Sequence, residues 1–181
     1  MSAPTPQPVA DHVLVAAYRN GDQQAATELV RRHAAAVGRF LYSSGAATSD
    51  VDDLVQETLF RAFRALDGWR QEASFRSWLF TISGNLLKDE FRRRKGRQIL
   101  SIEDRDLTDR SDPGGDFAAR EAEDRLRQGL GQLPRLQREV FLLRVQEGID
   151  YEGIARALGT TPGAARVHYH HAVKRLKELV R

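Results

Sequence analysis

Apolar and polar positions follow a helical period between residues 50 and 66, where the chain reads DVDDLVQETLFRAFRAL. At about 100° of rotation per residue, a core stripe centred on Val55 predicts an amphipathic helix. The stripe also includes Val51, Leu59, Ala62 and Leu66. The opposite face is polar around a single aromatic ring and consists of Asp53, Gln56, Glu57, Phe60 and Arg64. An exposed ring beside charges is typical of a protein interface, although a surface helix with one stray Phe is the alternative.

A second helix, predicted over residues 75–95, is apolar on two sides, which is typical of a helix packed between neighbours. One row consists of Phe75, Leu79, Ile82 and Leu86, and the other of Phe80, Leu87 and Phe91. The C-terminal end carries Arg92, Arg93, Arg94, Lys95 and Arg97. Basic side chains at this end suit the helix macrodipole, which is the structural alternative. So dense a cluster also indicates contact with a phosphate backbone and unstacked bases.

The N-terminal part of the chain predicts further helices over residues 11–19 and 22–44. The breaker Asn20-Gly21 separates them. The predicted N-caps are Asp22 for the longer helix and Ser49 or Asp50 for the helix that follows. His33 is predicted to lie on a helix surface or boundary. Together these helices predict a domain over residues 10–95, after a disordered Pro-rich segment at residues 1–9.

The C-terminal part predicts four helical segments, over residues 118–131, 134–146, 150–159 and 162–180. A short helix, a turn containing Gly and a second helix are the pattern of a helix-turn-helix. Thr161 is the predicted N-cap of the last helix, and Pro162 is its first residue, where a missing N–H costs nothing. Residues 118–181 are therefore predicted to form a second domain.

The last helix has a clear inner and outer face. The inner residues recur at helical spacing and are Ala165, Tyr169, Ala172 and Leu176. The outer residues are Arg166, Val167, His170, His171 and Lys174. The second helix of a helix-turn-helix meets base edges in the major groove, where an Arg can read guanine. An ordinary amphipathic helix with solvated basic residues is the alternative.

The chain has 181 residues and a formal net charge of +3, but the distribution of charge is more informative than its sum. Residues 75–99 hold seven basic residues against two acidic ones, whereas residues 100–125 hold nine acidic residues against four arginines. Residues 96–117 combine Pro-Gly-Gly with many acids and little periodicity, which predicts a flexible acidic linker. The chain is therefore predicted to be all-α, with two small nucleic-acid-facing domains joined by this linker.

Several kinds of chemistry find no support in the sequence. The chain has no cysteine, which excludes disulfides and thiol-based zinc fingers, and it has no phosphate-binding Gly loop, H-E-x-x-H or nucleophile elbow. A carboxylate site at Asp52, Asp53 and Glu57 would lack a pocket and a His partner. His168 and His171 would lack the further ligands of a zinc site. We therefore expect no enzyme activity, no metal and no cofactor; with neither a membrane span nor a signal-peptide core, we expect a cytoplasmic location.

Three stretches closely resemble conserved region 2 of bacterial sigma factors, above all of the small extracytoplasmic-function type: DLVQETLFRAFRAL, GWRQEASFRSWL and GNLLKDEFRRR. The stretch LPRLQREVFLLRVQEGIDYEGIARALG resembles region 4 of the same family. The two blocks stand in the family's order and cover most of the chain. The resemblance implies an alternative sigma factor, which binds core RNA polymerase, recognises the −35 and −10 promoter elements and promotes DNA melting. Control by an anti-sigma factor, common in the family, is also expected.

The resemblance implies a role for each set of exposed residues. The residues expected to face the clamp coiled coil of the largest polymerase subunit are Asp53, Gln56, Glu57, Phe60 and Arg64. Contacts to the −10 element are expected from Trp69, Arg76, Asn85, Lys88, Arg92 and Arg93. Contacts to the −35 element are expected from Arg166, Val167, His170, His171 and Lys174.

Within the −10 set, the loop around Trp69 and the helix at Asn85 would form a pocket for one flipped-out base. Stacking on an aromatic ring and hydrogen bonds from an amide can capture a base only after it has unpaired. A Trp at the edge of the core and an Asn that caps the loop are the alternatives.

The last helix departs from its family at HYHH, residues 168–171, where arginines are common. His side chains carry little charge at neutral pH, so base readout is expected to persist with weaker phosphate affinity. The alternative function is a free-standing helix-turn-helix regulator. It would account for residues 118–181 but would leave the face around Phe60 without a purpose.

Overall fold

The computed structural model describes residues 9–98 and 125–179, and within these ranges all regular structure is helical, as predicted. The helices are α1 (Asp11–Arg19), α2 (Gln23–Ser43), α3 (Thr48–Arg64), α4 (Phe75–Gln98), α5 (described over 125–131), α6 (Arg135–Val145), α7 (Tyr151–Leu158) and α8 (Pro162–Leu179). A single 3₁₀ turn, Leu66–Gly68, follows α3. Among the described helices, none is both long enough and apolar enough to cross a bilayer.

The predicted boundaries differ from the observed ones near the linker. Helix α4 continues to Gln98, beyond its predicted end at residue 95. Residues 1–8, most of the predicted linker 96–117 and the start of the predicted helix 118–131 lie outside the described ranges.

The first helical unit consists of α1 to α4, and α2 contacts each of the other three. Asp22 caps α2 as predicted, because its carboxylate accepts a hydrogen bond from the backbone N–H of Gln24 at 2.9 Å. Such a cap contributes about 1 kcal/mol. Helix α3 instead begins at Thr48, so the prediction of Ser49 or Asp50 as its N-cap is wrong. Ser49 donates to the Asp50 carboxylate, and neither side chain caps the helix.

The core stripe of α3 is centred one residue away from the predicted position. Leu54, Thr58 and Ala62 are buried, whereas Val55 is only half-buried. A threonine can occupy the core here because its hydroxyl donates to the backbone carbonyl of Leu54 at 2.7 Å, which satisfies the polar group inside the helix. Because Thr58 is polar, the pattern of apolar positions centred the predicted core stripe on Val55. In the structure, α3 packs against both α2 and α4, and Thr58 lies in the core.

His33 is buried, 5% exposed, and its prediction as a surface or boundary residue is wrong. Its Nε2 lies 2.8 Å from a carboxylate oxygen of Asp11, which ties α1 to α2, and its ring meets Phe75 edge to face. Burial lowers the pKa of His33, although the Asp11 carboxylate acts in the opposite direction. The sequence pattern of α2 could not predict this burial, because the residues that cover His33 belong to α1 and α4.

The second helical unit, residues 125–179, packs α6, α7 and α8 against one another. Thr161 and Pro162 occupy their predicted places, since the Thr161 hydroxyl accepts from the backbone N–H of Ala164 at 3.1 Å and α8 begins at Pro162. Gly159 ends α7 in the left-handed region at φ 65°, a conformation that glycine adopts without steric cost. The turn between α7 and α8 therefore has the helix-turn-helix form that the sequence predicts.

The two units pack directly on each other through α4 and α7, with a smaller contact between α2 and α6. A glycine on each helix permits the close approach. A Cβ atom at Gly84 would lie 3.1 Å from the backbone oxygen of Ala157, and one at Gly153 would lie 2.6 Å from Ser77 Oγ. The two-sided apolar pattern of α4 thus corresponds to a helix between its own unit and the next.

Candidate protein and nucleic-acid interfaces

The first candidate surface is the α3 face, defined as Asp53, Gln56, Glu57, Phe60 and Arg64. All of these side chains are exposed except Glu57, which is half-buried and pairs with Arg61 at 2.6 Å. The Phe60 ring is 56% exposed, and the Arg64 guanidinium lies over it, 5.5 Å from the ring centroid. An aromatic ring held at the centre of a polar face is the arrangement of an interface anchor. The accessibility predicted for this face is confirmed, and its partner stays a prediction.

Trp69 lies in the core rather than on the surface. Its side chain is 7% exposed, its ring stacks on Trp78 with centroids 6.3 Å apart, and it meets Phe75 edge to face at 5.7 Å. Its backbone oxygen accepts from Arg19 at 3.1 Å. This arrangement favours the core-edge alternative for the ring, which has no free face for a base here. A role in base capture stays a prediction.

Asn85, Arg92 and Arg93 are accessible members of the predicted −10 set. The side chains of Arg92 and Arg93 are 81% and 63% exposed, and they pair within α4 with Asp89 and Glu90, respectively. Exposed ion pairs of this kind contribute little to stability, so replacing the carboxylate partner with a phosphate would cost little. Both arginines could therefore hold a nucleic-acid backbone.

The neighbouring Arg94 is engaged inside the first unit. It pairs with Asp50 of α3 and with Glu90, 3.1 Å away, on its own helix. Burial acts to raise the pKa of Asp50, but hydrogen bonds from Ser49 and Arg94 outweigh it, and the net effect lowers that pKa. Arg94 therefore joins α3 to α4 as a charged partner.

Arg76 and Lys88, the two remaining members of the −10 set, contact the second helical unit. Arg76 forms an ion pair with Glu147, whose side chain is 1% exposed, and its guanidinium lies over the Phe80 ring at 5.9 Å. Lys88 donates from Nζ to the backbone oxygen of Leu158 at 2.7 Å, at the C-terminus of α7. The sequence pattern assigned both cations to DNA because it could not show their protein partners. Glu147 is 71 positions from Arg76, and Leu158 is 70 positions from Lys88.

The second candidate surface is the α8 face, defined as Arg166, Val167, His170, His171 and Lys174, and all five side chains are exposed. Behind it, Ala165, Ala172 and Leu176 are buried, and Tyr169 is half-buried with its ring stacked on Phe141 at 6.3 Å. The accessible side of α8 therefore carries cationic and imidazole donors on a packed scaffold, which suits a nucleic-acid groove.

Tyr151 supports the α8 face, and the sequence analysis did not predict this role. The guanidinium of Arg166 lies 5.1 Å from the centroid of its ring, and that of Arg144 lies 5.0 Å from the same centroid. Tyr151 is also the first residue of α7, behind its N-cap Asp150. The signal in the sequence was an aromatic residue directly after the cap of the helix-turn-helix.

A metal site gains no support. Within residues 9–98 and 125–179, no three His, Cys, Asp or Glu side chains are grouped closely enough to hold an ion. Asp52 and Asp53 are exposed, and Asp53 and Glu57 line an open groove between α3 and α4, so the expectation that the carboxylates lack a pocket is wrong. The other charged residues of this groove include Arg61 and Arg93, and no His is among the described residues that line it, so the carboxylate alternative still lacks a His partner.

The family models for sigma-70 region 2 and sigma-70 region 4 match residues 29–97 and 123–176. The chain is 34% identical to the RNA polymerase sigma factor CnrH of Cupriavidus metallidurans over 94% of each chain. The solved structure of CnrH in complex with the cytosolic domain of CnrY covers 95% of this chain and 97% of that chain with a TM-score of 0.71.

Two further proteins are similar to the chain, the first in sequence and the second in fold. The ECF RNA polymerase sigma-E factor of Salmonella typhimurium is 31% identical over 86% of each chain. The sigma factor RpoE of Bartonella quintana, solved with the anti-sigma factor NepR, shares the fold at 24% identity and a TM-score of 0.74, over 85% of this chain and 95% of that chain. Both region models match, in this order, and the sigma factors of Cupriavidus and Salmonella are more than 30% identical to the chain over most of their length. The chain therefore belongs to the extracytoplasmic-function sigma factors of bacterial RNA polymerase.

Proposed function

We propose that this chain is an alternative sigma factor that binds core RNA polymerase through the α3 face and contacts promoter DNA through both helical units. The observation that carries the proposal is the presence of two exposed surfaces of different kinds on one chain. The α3 face is centred on an aromatic ring, as protein interfaces are. The α8 face is cationic and belongs to a helix-turn-helix, as DNA-reading surfaces do.

The expected occupant of the α3 face is the clamp coiled coil of the largest polymerase subunit. Phe60 would supply the buried anchor, and Arg64, already stacked on that ring, would lose little side-chain entropy on binding. Asp53 and Gln56 would supply charge and hydrogen bonds at the rim. A contact of this form gives the specificity that distinguishes a sigma factor from a free-standing regulator.

For the −10 element, we expect Arg92 and Arg93 to hold backbone phosphates and Asn85 to read an extruded base. Trp69 would contribute from within the core and not by touching the base. Its packing on Trp78 and Phe75 holds the start of the loop over residues 70–74 in place. Opening a base pair costs a few kcal/mol, which contacts to the captured base must offset. This chain would then stabilise the melted strand rather than catalyse a reaction.

For the −35 element, Arg166 is the expected reader of guanine and Lys174 an expected phosphate contact. Arg166→Ala should lower discrimination at one or two base positions by about 1–3 kcal/mol each. Lys174→Ala, as the matched control, should weaken binding to all sequences alike and reduce its salt dependence. Equal weakening by both variants at every position would make Arg166 a phosphate contact as well.

Control by an anti-sigma factor is the expected regulation. In the solved structures, CnrH is bound by the cytosolic domain of CnrY, and RpoE by the anti-sigma factor NepR. A sigma factor of this kind works where the polymerase is, so we expect this chain in the cytoplasm.

The proposed function is tested by transcription in vitro with purified core polymerase and genomic promoter fragments selected by the chain. We expect specific transcripts only when both proteins are present. A free-standing regulator would instead select the same fragments without polymerase and would not start transcription.

The polymerase contact is tested by the double variant Phe60→Ala with Gln56→Ala. It should weaken polymerase binding by roughly 2–4 kcal/mol, as loss of an interface anchor does, with normal helicity. The control is Val13→Ala, which shortens an exposed apolar side chain on a different helix, α1. This variant should bind polymerase normally. Unchanged affinity of the double variant would remove the α3 face from the interface.

A further inference from the structure

Arg19, the last residue of α1, bonds to the loop that joins α3 to α4. Its Nη2 donates to the backbone oxygens of Leu66 and Trp69, which are 47 and 50 positions away in the chain, the second at 3.1 Å. Trp69 directly follows the 3₁₀ turn Leu66–Gly68, and an Arg side chain can satisfy the carbonyls at the end of such a helical segment. Arg19 therefore closes the turn from which the loop over residues 70–74 begins.

Helix α1 is fixed at both ends, so it presents Arg19 in a defined place. At its start, a carboxylate oxygen of Asp11 lies 2.8 Å from Nε2 of the buried His33 on α2. At its end, the Tyr18 ring meets Phe63 of α3 edge to face, with centroids 5.2 Å apart. The Arg19 side chain is 31% exposed, and partial exclusion of water strengthens its hydrogen bonds.

The far end of the loop has an anchor of its own. The Ser74 hydroxyl accepts from the backbone N–H of Ser77 at 3.1 Å, and the Ser74 carbonyl accepts from that of Trp78 at 3.0 Å. Ser74 thus caps the start of α4. Between the two anchors, the side chains at positions 70–72 are exposed. The loop therefore has two fixed ends and an accessible middle.

Gln71, in the middle of this loop, has φ 61°, and it is the one non-glycine residue with a positive φ in the described part of the chain. A side chain with a Cβ rarely occupies this left-handed region. Such a conformation persists only where the surrounding structure imposes it. Arg19 at one end and the Ser74 cap at the other impose it here. Release of either end should let Gln71 relax and change the shape of the loop.

We propose that Arg19 is a positioning residue for promoter opening, which holds the loop over residues 70–74 in the shape that receives an extruded −10 base. This inference rests on the proposed function, since base capture is assigned there to this loop and Asn85. Arg19 acts through the loop's backbone and needs no contact with DNA or polymerase. A loop that is fixed in advance loses less conformational freedom when a base enters, so more of the contact energy offsets unpairing.

The first test measures the loop in the full chain without DNA. Arg19→Met keeps a long side chain and removes the donors, and Arg31→Met, at a 72% exposed side chain on α2, is the matched control for the lost charge. The chain's two tryptophans, Trp69 and Trp78, stack at the base of this loop, so intrinsic fluorescence reports its anchoring. We expect Arg19→Met to increase quenching by acrylamide severalfold with normal helicity. Arg31→Met should quench like the parent.

Asp67→Asn separates the two carbonyls from the carboxylate near Arg19. Asp67 Oδ1 lies 4.0 Å from Arg19 Nε, and the Asp67 side chain is 99% exposed, so this ion pair contributes little. Asp67→Asn should therefore quench like the parent. Quenching as strong as in Arg19→Met would show that Arg19 acts through a surface charge, which would overturn its role at the loop's backbone.

Two changes at Gln71 test the constraint on the loop without altering Arg19. Gln71→Val places a β-branched side chain in the left-handed region and should increase quenching, as Arg19→Met does. Asn tolerates this region, so Gln71→Asn should keep the quenching of the parent. Equal quenching in the two variants would contradict a loop held at this conformation.

The second test measures base capture by the complex with core polymerase. The template is a promoter fragment selected by the chain, with each −10 base replaced in turn. Arg19→Met should lower permanganate reactivity of unpaired thymines severalfold and weaken the preference for one −10 base. A pre-melted start site should recover much of the lost transcription. Affinity for core polymerase and for −35 duplex should stay at the parent value, and Arg31→Met should match the parent throughout.

A phosphate contact made by Arg19 itself would give a different result. It would weaken binding to every promoter alike and reduce the salt dependence of binding, because fewer counterions would be released. A positioning residue leaves the salt dependence unchanged, and the pre-melted template allows this to be measured apart from opening. Uniform weakening with a reduced salt dependence would therefore overturn the positioning role.

The outcomes separate this inference from the proposed function. Unchanged quenching in Arg19→Met would overturn it even if the parent chain directs transcription. Increased quenching with full opening and an intact base preference would overturn the link between loop shape and base capture. If the parent shows no preference at any −10 base, the proposed role of the loop is wrong and the inference falls with it, while fluorescence still reports whether Arg19 holds the loop.

Discussion

At the scale of single residues, the surroundings of a side chain decide its role. Trp69 illustrates this, because a Trp in a Gly-flanked loop suits base capture, yet its ring packs on Trp78 and Phe75. Its indole Nε1–H is buried without a hydrogen-bond partner. The ring therefore contributes apolar burial, while its N–H group gains nothing from the position.

Trp69→Ala should lower the free energy of unfolding by about 3–5 kcal/mol, as large-to-small changes at buried aromatic residues do. Trp69→Phe should cost much less, because it keeps a ring and removes the unsatisfied donor. Urea unfolding of the full chain, followed by circular dichroism, measures both. Equal and small effects of the two variants would show that the ring is not part of the core and would return it to the base pocket.

At the scale of elements, backbone conformation determines how the helix-turn-helix turns. Gly159 ends α7 with φ 65°, and the backbone N–H of Thr160 then bonds to the carbonyl of Ala155. Gly163, near the start of α8, lies in open space and has an ordinary φ. Adding a side chain should therefore change the free energy of unfolding differently at Gly159 and at Gly163.

Gly159→Ala should destabilise the chain by roughly 1–2 kcal/mol, because a Cβ is strained in the left-handed region. Gly163→Ala, the matched control, should stabilise it by about 0.4–1 kcal/mol through lower entropy of the unfolded chain. Denaturant midpoints of the two variants against the parent provide the check. A Gly159→Ala variant as stable as the parent would contradict the strain argument.

At the scale of the whole molecule, buried charge collects where the two helical units meet. Glu139 of α6 is 1% exposed, and one of its oxygens has no partner. Burial raises the pKa of Glu139, and the positive charges of Arg135, Lys88 and Arg138 only partly oppose it. Lys88 belongs to α4, so the state of this carboxyl reports the contact between the units.

The direction of the pH effect follows from this shift. With a folded pKa above the unfolded value of 4.5, the native state holds more protons than the unfolded state between those two values. The contribution of Glu139 to stability is therefore present below about pH 4.5 and is lost as pH rises through the folded pKa. Glu139→Gln should remove this loss and raise stability at neutral pH relative to the parent.

The measurement is the urea midpoint of parent and Glu139→Gln at about pH 5 and about pH 8, where other carboxyls cancel in the difference between proteins. Glu178→Gln, at an exposed position of α8, is the control and should leave the difference near zero. A Glu139→Gln variant that is less stable than the parent at neutral pH would show that the ion pair with Arg135 outweighs desolvation.

The sequence by itself determined the features that depend on neighbours within a few positions. Helical periodicity predicted every helix within the described residues and the exposure of the α3 and α8 faces, because a side chain's direction follows from its place in the turn. Asp22, Thr161 and Pro162 were predictable for the same reason, since a cap acts on the first turn of its own helix.

Tertiary structure alone decided which surfaces meet. His33 is buried by α1 and α4, Thr58 takes the centre of a stripe because its hydroxyl is satisfied, and Trp69 loses its free face to Trp78. Arg76 and Lys88 find partners 71 and 70 positions away. Such pairings depend on how whole helices pack, and a periodic pattern records only that a helix has an apolar side, not which other surface will cover it.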